Sequence, residues 1–269
     1  MEINRANIME IVKRLEIKPS KDYGQNFLTS PETSAKIVEA LNVIKGDQVL
    51  EIGPGFGSLT HFLMRSKAKI TAVDIDKRMI SFLRDIYQQD SQLTFVANDI
   101  RKENINSYNK IIGNIPYTIT TEIIQYCLLN GERAETMVFM VQAEALSRFI
   151  DTSGINYGPI SVLIHLLGTI ERLFMVKAGL FYPVPKCRSV VFRININHKA
   201  DREKAIKIYK MCKQLFAKRR KTIVNNLLAI VESKEKALSV CRDLNINQSA
   251  RPENLPPATY CDIYDYLNK

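Results

Sequence analysis

The chain has no tryptophan, only three histidines, and five cysteines in 269 residues. Cys127, Cys187, Cys212, Cys241 and Cys261 are odd in number, far apart and without a C-x-x-C pair. That excludes a disulfide framework and a thiolate zinc site as organising elements. His61, His165 and His198 are too dispersed along the chain to suggest a metal cluster, so no metal is expected. No stretch approaches the ~20 apolar residues a membrane span needs. The opening segment mixes Glu2, Glu10 and Glu16 with its basic residues, unlike a secretion signal. A cytoplasmic protein with no membrane partner is the expectation. Acidic residues are also in deficit: 28 Asp and Glu face 38 Lys and Arg, a net charge of +10. A field of that sign draws polyanions and speeds their encounter, which makes nucleic acid the leading partner class.

Apolar residues make up 46% of the chain and charged residues 25%, the balance of a globular protein able to bury a core. From Gln48 to about Val141, short β-branched runs alternate with helical patterns, the signature of βαβ units and a parallel sheet. The predicted strands are QVLEIG, KITAVD, LTFVAND, KIIGN and TMVFMV. Between them, Leu59, Phe62 and Leu63, and then Met79, Phe82, Leu83 and Ile86, fall at helical spacing. The segment PISVLIHLLGTIERLFMV predicts a helix and then a strand, and SVVFRININ a last strand that can run antiparallel. After Asn197 the texture becomes charged and helix-rich, with Ala205, Ile208, Tyr209, Cys212, Leu215 and Phe216 on one apolar face. The expected architecture is α/β. A Rossmann-like, mostly parallel sheet with an antiparallel final strand spans residues 1–197, with an N-terminal arm over 1–30, and a small helical domain follows over 198–269.

The segment VLEIGPGFGSLT sets Gly53, Gly55 and Gly57 at the exit of the first predicted strand. Glycines there let the backbone turn sharply and approach a nucleotide closely. The pattern is G-x-G-x-G rather than the G-x-G-x-x-G that seats a pyrophosphate on a helix N-terminus. This favours a nucleoside cofactor without a diphosphate, such as S-adenosylmethionine, over NAD. Asp74 lies 21 residues after Gly53, at a strand end where a carboxylate can accept hydrogen bonds from two ribose hydroxyls; Asp76 is the alternative. Asp99 closes the third strand, where it can meet the amino edge of an adenine. Each acid could instead cap a helix, but together they line the carboxyl edge at which open α/β sheets bind ligands.

The fourth strand runs into Asn114-Ile115-Pro116-Tyr117. Asn-x-Pro is a common turn, yet beside a methyl donor these residue types have a chemical logic. The lone pair of an exocyclic base amine is delocalised into the ring. The Asn114 amide oxygen and the Pro116 carbonyl can accept both amine protons and favour a pyramidal nitrogen, while Tyr117 stacks on the base. No strong base is needed, because positioning and desolvation supply most of the acceleration.

With these residues in place, the chain resembles the KsgA-type rRNA adenine dimethyltransferases and the related Erm methyltransferases. The matching segments are Tyr23-Gly24-Gln25-Asn26-Phe27-Leu28, Glu51-Ile52-Gly53-Pro54-Gly55, Asp74-Ile75-Asp76, Asn98-Asp99, Gly113-Asn114-Ile115-Pro116-Tyr117, Phe181-Tyr182-Pro183-Val184-Pro185-Lys186 and Lys218-Arg219-Arg220-Lys221-Thr222. The resemblance implies that Asn26 and Leu28 contact S-adenosylmethionine along with Gly53, Gly55, Asp74 and Asp99. It implies that Asn114 is shared by cofactor and target amine, and that Phe181 is a second aromatic face against a flipped base. The family more often has Glu where this chain has Asp74. The tail, with Lys218, Arg219, Arg220 and Lys221 and the closing Arg251-Pro252-Glu253-Asn254-Leu255, is similar to the small-subunit enzymes, whose helical domain docks on the ribosomal particle. A KRRK run can also be a solvated helix face.

The function implied is dimethylation of two adjacent adenosines near the 3′ end of 16S rRNA by a monomer acting on a pre-ribosomal particle. Erm-like methylation of a 23S rRNA adenosine, or a non-catalytic assembly or RNA-binding factor, are the alternatives.

Overall fold

A computed structural model describes residues 3–14, 16–17, 19–20, 24–88 and 90–269; Tyr23, the first residue of the N-terminal motif, lies outside them. The predicted strands form at the predicted places. Two further short strands, at Phe27–Leu28 and Phe181–Tyr182, join them, and in chain order the strands are β1 (Phe27–Leu28), β2 (Gln48–Ile52), β3 (Lys69–Asp74), β4 (Leu93–Ala97), β5 (Lys110–Asn114), β6 (Thr136–Gln142), β7 (Gly168–Val176), β8 (Phe181–Tyr182) and β9 (Ser189–Ile196). Seven of them make one sheet in the order β4-β3-β2-β5-β6-β9-β7. The pairs from β4 to β6 are parallel, and β9 runs antiparallel to β6 from Gln142↔Ser189 to Thr136↔Asn195. From β2 the chain winds outward through β3 and β4, then returns to add β5 and β6 on the other side. The carboxyl ends of β2 and β5 therefore flank the switch point at which open α/β sheets form their binding crevice.

The helices are α1 (Arg5–Arg14), α2 (Pro31–Glu39), α3 (Thr60–Leu63), α4 (Lys77–Ile86), α5 (Thr120–Asn130), α6 (Ser147–Ile150), α7 (Pro159–Leu167), α8 (Arg202–Leu215), α9 (Ile223–Leu227), α10 (Lys234–Asp243) and α11 (Pro257–Leu267). Ile37, Leu59 and Leu63 pack with Val49, Ile70, Ile112 and Val138 of the sheet. Met79, Phe82 and Leu83 of α4 bury their stripe against Phe56, Phe27 and Ile8, as the helical spacing predicts. A two-stranded ribbon lies apart from the main sheet: β1 pairs antiparallel with β8, Leu28 opposite Phe181. Cys127, Cys212 and Cys241 are buried free thiols, and desolvation pushes the Cys127 thiol up to about 12.

The chain divides into two compact units: Met1–Glu144 with Glu171–Asn195, and Ala145–Ile170 with Ile196–Lys269. The sequence reading placed a single boundary at 197/198, which leaves α6 and α7 in the first domain. They group instead with the tail because Tyr157 and Val162 are buried in the core built by Ile208, Cys212, Phe216 and Tyr260. An apolar helix reports that it is buried but not against what.

The KRRK run is not a helix face. α8 ends at Leu215 and α9 starts at Ile223, N-capped by Thr222, so the four residues form the turn between them. The buried Asn226 fixes that turn, its Nδ2 donating to the carbonyls of Lys218 (3.2 Å), Lys221 (3.2 Å) and Thr222 (3.0 Å). Asn226→Ala leaves the Lys221 carbonyl without its donor, while those of Lys218 and Thr222 keep the backbone N–H groups of Lys221 and Asn226, and should lower unfolding stability by about 2 kcal/mol, measured by urea denaturation. An unchanged midpoint would show that the turn does not need this amide.

Candidate active site

β2 ends at Ile52, and the chain then turns through Gly53 and Gly55 with φ of 67° and 55°, a region that side chains other than glycine rarely occupy. At Gly55 the reason is also steric, since a Cβ there would stand 2.9 Å from the Phe27 ring. The Gly55 N–H donates to Asp74 Oδ2 at 3.3 Å, and Asp74 Oδ1 accepts from the Asp76 N–H at 2.9 Å. Burial pushes the Asp74 carboxyl up to about 6, against these backbone hydrogen bonds.

The geometry separates the two acids that the sequence left open. Asp76 is buried and committed: it caps α4 through the Arg78 N–H (3.0 Å), pairs with the Arg78 guanidinium (2.9 and 2.7 Å) and accepts from Gln25 Nε2 (2.9 Å). Burial alone would raise its pKa, but the bonds from Arg78 and Gln25 hold it below the usual carboxylate range. Asp74 is the one that lines the cleft, together with Asn26, Leu28, Gly53, Gly55 and Asn114. The cleft opens to solvent, with about 690 Å³ of space between its lining residues, open solvent included. An adjoining hollow is lined by Asp99, Ile119 and Ile123, with Ile75 shared between the two. Asp99 accepts from the Arg101 N–H (3.0 Å) and pairs with its guanidinium (2.7 Å), and Arg101 keeps its pKa low.

Asn114 ends β5, and its Nδ2 donates to the Asn26 carbonyl at 2.9 Å. A backbone carbonyl can only accept, so the NH2 must face it and the Oδ1 must point elsewhere. Among the described residues nothing donates to that oxygen. Nearby, Ser58 Oγ donates to the Leu28 carbonyl at 2.7 Å, tying β1 to the glycine loop. The Tyr117 hydroxyl is held by Ser189 Oγ at 2.7 Å, which fixes the ring beside the cleft.

Three expected roles change. The Pro116 carbonyl already accepts from Thr120 Oγ1 (3.0 Å) and the Ile119 N–H (3.3 Å), because it opens the turn leading into α5. The carbonyl one residue earlier, on Ile115, has no donor among the described residues, and Ile115 lines the cleft. Phe181 is fully buried within the core of the sheet domain and offers no face to a base, since the ribbon register turns it inward. Arg219 is engaged too, its Nη2 donating to the carbonyls of Tyr157 (3.1 Å) and Gly154 (3.4 Å); Lys218, Arg220 and Lys221 are exposed.

Glu51 is a buried acid near Asp74 that lines neither hollow, and the chemistry read from the sequence does not use it. Its Oε2 accepts from Thr60 Oγ1 at 2.7 Å while Oε1 is buried without a partner, and desolvation pushes the carboxyl up to about 7. The signal was a lone acid within the apolar run QVLEI. Among the described residues no group of His, Cys, Asp or Glu is placed to hold a metal ion, and no helix is long and apolar enough to cross a membrane.

A family model described as Ribosomal RNA adenine dimethylase matches residues 16–269. The chain belongs to this family. Among adenine dimethylase relatives, a Fusobacterium nucleatum protein named ribosomal RNA small subunit methyltransferase A is 35% identical over 251 residues, covering 90% of this chain and 94% of the relative. One of the same name from Ureaplasma urealyticum is 32% identical and covers 99% of each chain. In fold, the chain is similar to a dimethyladenosine transferase from Plasmodium falciparum (TM-score 0.77, 23% identity, 90% of this chain and 97% of the other). It is also similar to the 23S rRNA methyltransferase ErmE (TM-score 0.71, 23% identity, 90% and 100%).

The buried Glu51 has a measurable consequence. Between about pH 4.5 and 7 the folded chain holds a proton there that the unfolded chain has released, so stability falls as pH rises through that window. Relative to Glu51→Gln, the wild type should lose on the order of 3 kcal/mol from acid to neutral pH. Parallel stability curves for the two proteins would show that Glu51 is ionised throughout.

Proposed function

We propose that this adenine dimethylase transfers methyl groups from S-adenosylmethionine to the exocyclic amines of two adjacent adenosines near the 3′ end of small-subunit (16S) rRNA. It acts as a monomer in the cytoplasm, on a partly assembled ribosomal particle. The observation that carries the reading is the Asn114 amide, anchored through Nδ2 on the Asn26 carbonyl with its oxygen left over at the cleft. The small-subunit assignment is supported by the names of the relatives more than 30% identical.

The residues fit the cofactor. Gly53 and Gly55 would let the backbone pass close to it, Asp74 would accept from the ribose hydroxyls, Asp99 and Ile75 would hold the adenine, and Asn26 and Leu28 would close the cleft. When bound, S-adenosylmethionine supplies a methyl group on a positively charged sulfur. On the target side, Asn114 Oδ1 and the Ile115 carbonyl accept the two amine N–H groups and steer the nitrogen lone pair toward the cofactor. With one methyl already present, a single N–H remains and Asn114 Oδ1 can still accept it, so the same grip serves the second transfer. The Tyr117 ring, held by Ser189, stacks on the extruded base.

Asn114→Ala should lower methyl incorporation into immature small subunits by at least about 100-fold, since an amide aimed at the reacting group contributes on that scale. Particle binding should stay near wild type; mass spectrometry of the rRNA reads the first and filter binding the second. Loss of both together would make Asn114 structural. Affinity for S-adenosylhomocysteine should rise about tenfold as Asp74 ionises through pH of about 6, and Asp74→Asn should bind weakly with no such step in calorimetry. Arg220→Ala and Lys221→Ala should each weaken particle binding and reduce the salt slope by about one; unchanged slopes would remove these side chains from the RNA interface.

A further inference from the structure

Within the helical unit, the most exposed large apolar side chain described is Ile155, at 85%. It does not sit on a loose loop. The Gly154 N–H donates to the Glu253 carbonyl at 2.8 Å, and the Tyr157 N–H closes the turn on the Gly154 carbonyl at 3.2 Å. Arg219 donates to the carbonyls on both sides of the tip, those of Gly154 and Tyr157, and the Tyr157 side chain is fully buried beneath. A positive φ of 94° at Gly154 makes the sharp bend that projects the next residue. The side chain that grips this turn is flanked in sequence by Lys218, Arg220 and Lys221, all exposed and set by the Asn226 amide.

A single apolar side chain on a rigid turn, tied by an arginine to a cluster of cations, matches one kind of partner. Phosphates satisfy the cations, and the ribose and base surface of a shallow RNA groove, or an unstacked base, offers the apolar contact. We infer that Ile155 is a docking wedge that packs against RNA while Lys218, Arg220 and Lys221 hold the neighbouring phosphates. This rests on the rRNA reading above and adds a residue that phosphate attraction does not account for. The two kinds of contact separate by salt: phosphate contacts release counterions and weaken as salt rises, whereas apolar burial does not.

The test measures wild type and Ile155→Ser binding to immature small subunits across a potassium chloride series. Ile155→Ser should bind about tenfold more weakly at every salt concentration, as expected for losing one buried aliphatic side chain, with the slope unchanged. Its melting temperature and its affinity for S-adenosylhomocysteine should match wild type. A second variant, Ile155→p-benzoylphenylalanine, should crosslink to rRNA on irradiation of the bound particle. Wild-type affinity for Ile155→Ser, a changed slope, or crosslinks to ribosomal protein alone or to nothing overturns the wedge while leaving the methyltransferase reading intact. A wild-type protein that neither binds nor methylates the particle overturns the underlying reading instead.

Discussion

The hydrogen bond from Asn114 Nδ2 to the Asn26 carbonyl is the contact on which the site depends. It is one of three ties that lay the N-terminal segment across the carboxyl edge of the sheet. Gln25 reaches Asp76 beyond β3, Asn26 meets Asn114 at the end of β5, and Leu28 takes the Ser58 hydroxyl from the glycine loop beyond β2. Each tie joins the segment to a different strand end, so the cleft has a floor of strand tips and a wall contributed by residues far away in sequence. The β1–β8 pairing holds that wall from its other side. Because the carbonyl of Asn26 can only accept, the orientation of the Asn114 amide follows from backbone geometry alone.

The acids at the same edge divide by environment. Asp76 and Asp99 each cap a turn and pair with an arginine two residues on, which keeps them ionised and occupied with structure. Among the described residues Asp74 and Glu51 have no cationic partner, and burial pushes them up to about 6 and about 7. Two neighbouring carboxyls whose charge is poorly compensated beneath a glycine loop are a cost in the free protein. Ligand hydroxyls that donate to Asp74 offset part of that cost on binding, so the site is built to be completed by its ligand.

Much of this was legible in the sequence. The five parallel strands and the antiparallel β9 follow from β-branched runs and their spacing, and the strand-end positions of Gly53, Asn114 and the Asp74–Asp76 pair are plain in the sequence, though not which of the two acids lines the cleft. What was hidden depended on tertiary partners. That the Pro116 carbonyl is consumed by Thr120 and Ile119 depends on where α5 begins. Phe181 is buried because of its register opposite Leu28, which a two-residue strand does not disclose. The KRRK run left a solvated helix face open as an alternative because cations fit one equally well; only the N-cap at Thr222 and the Asn226 amide reveal the turn. The helices α6 and α7 lie on the other side of the division expected at 197/198, since hydrophobicity carries no address.

The most direct test is a crystal structure with S-adenosylhomocysteine and an RNA presenting an unpaired adenosine pair. The account predicts the target N6 within hydrogen-bond reach, roughly 3.2 Å, of both Asn114 Oδ1 and the Ile115 carbonyl, with the Asn114 amide still donating to Asn26. An N6 seated on the Pro116 carbonyl, or an Asn114 amide turned away from the base, would contradict it.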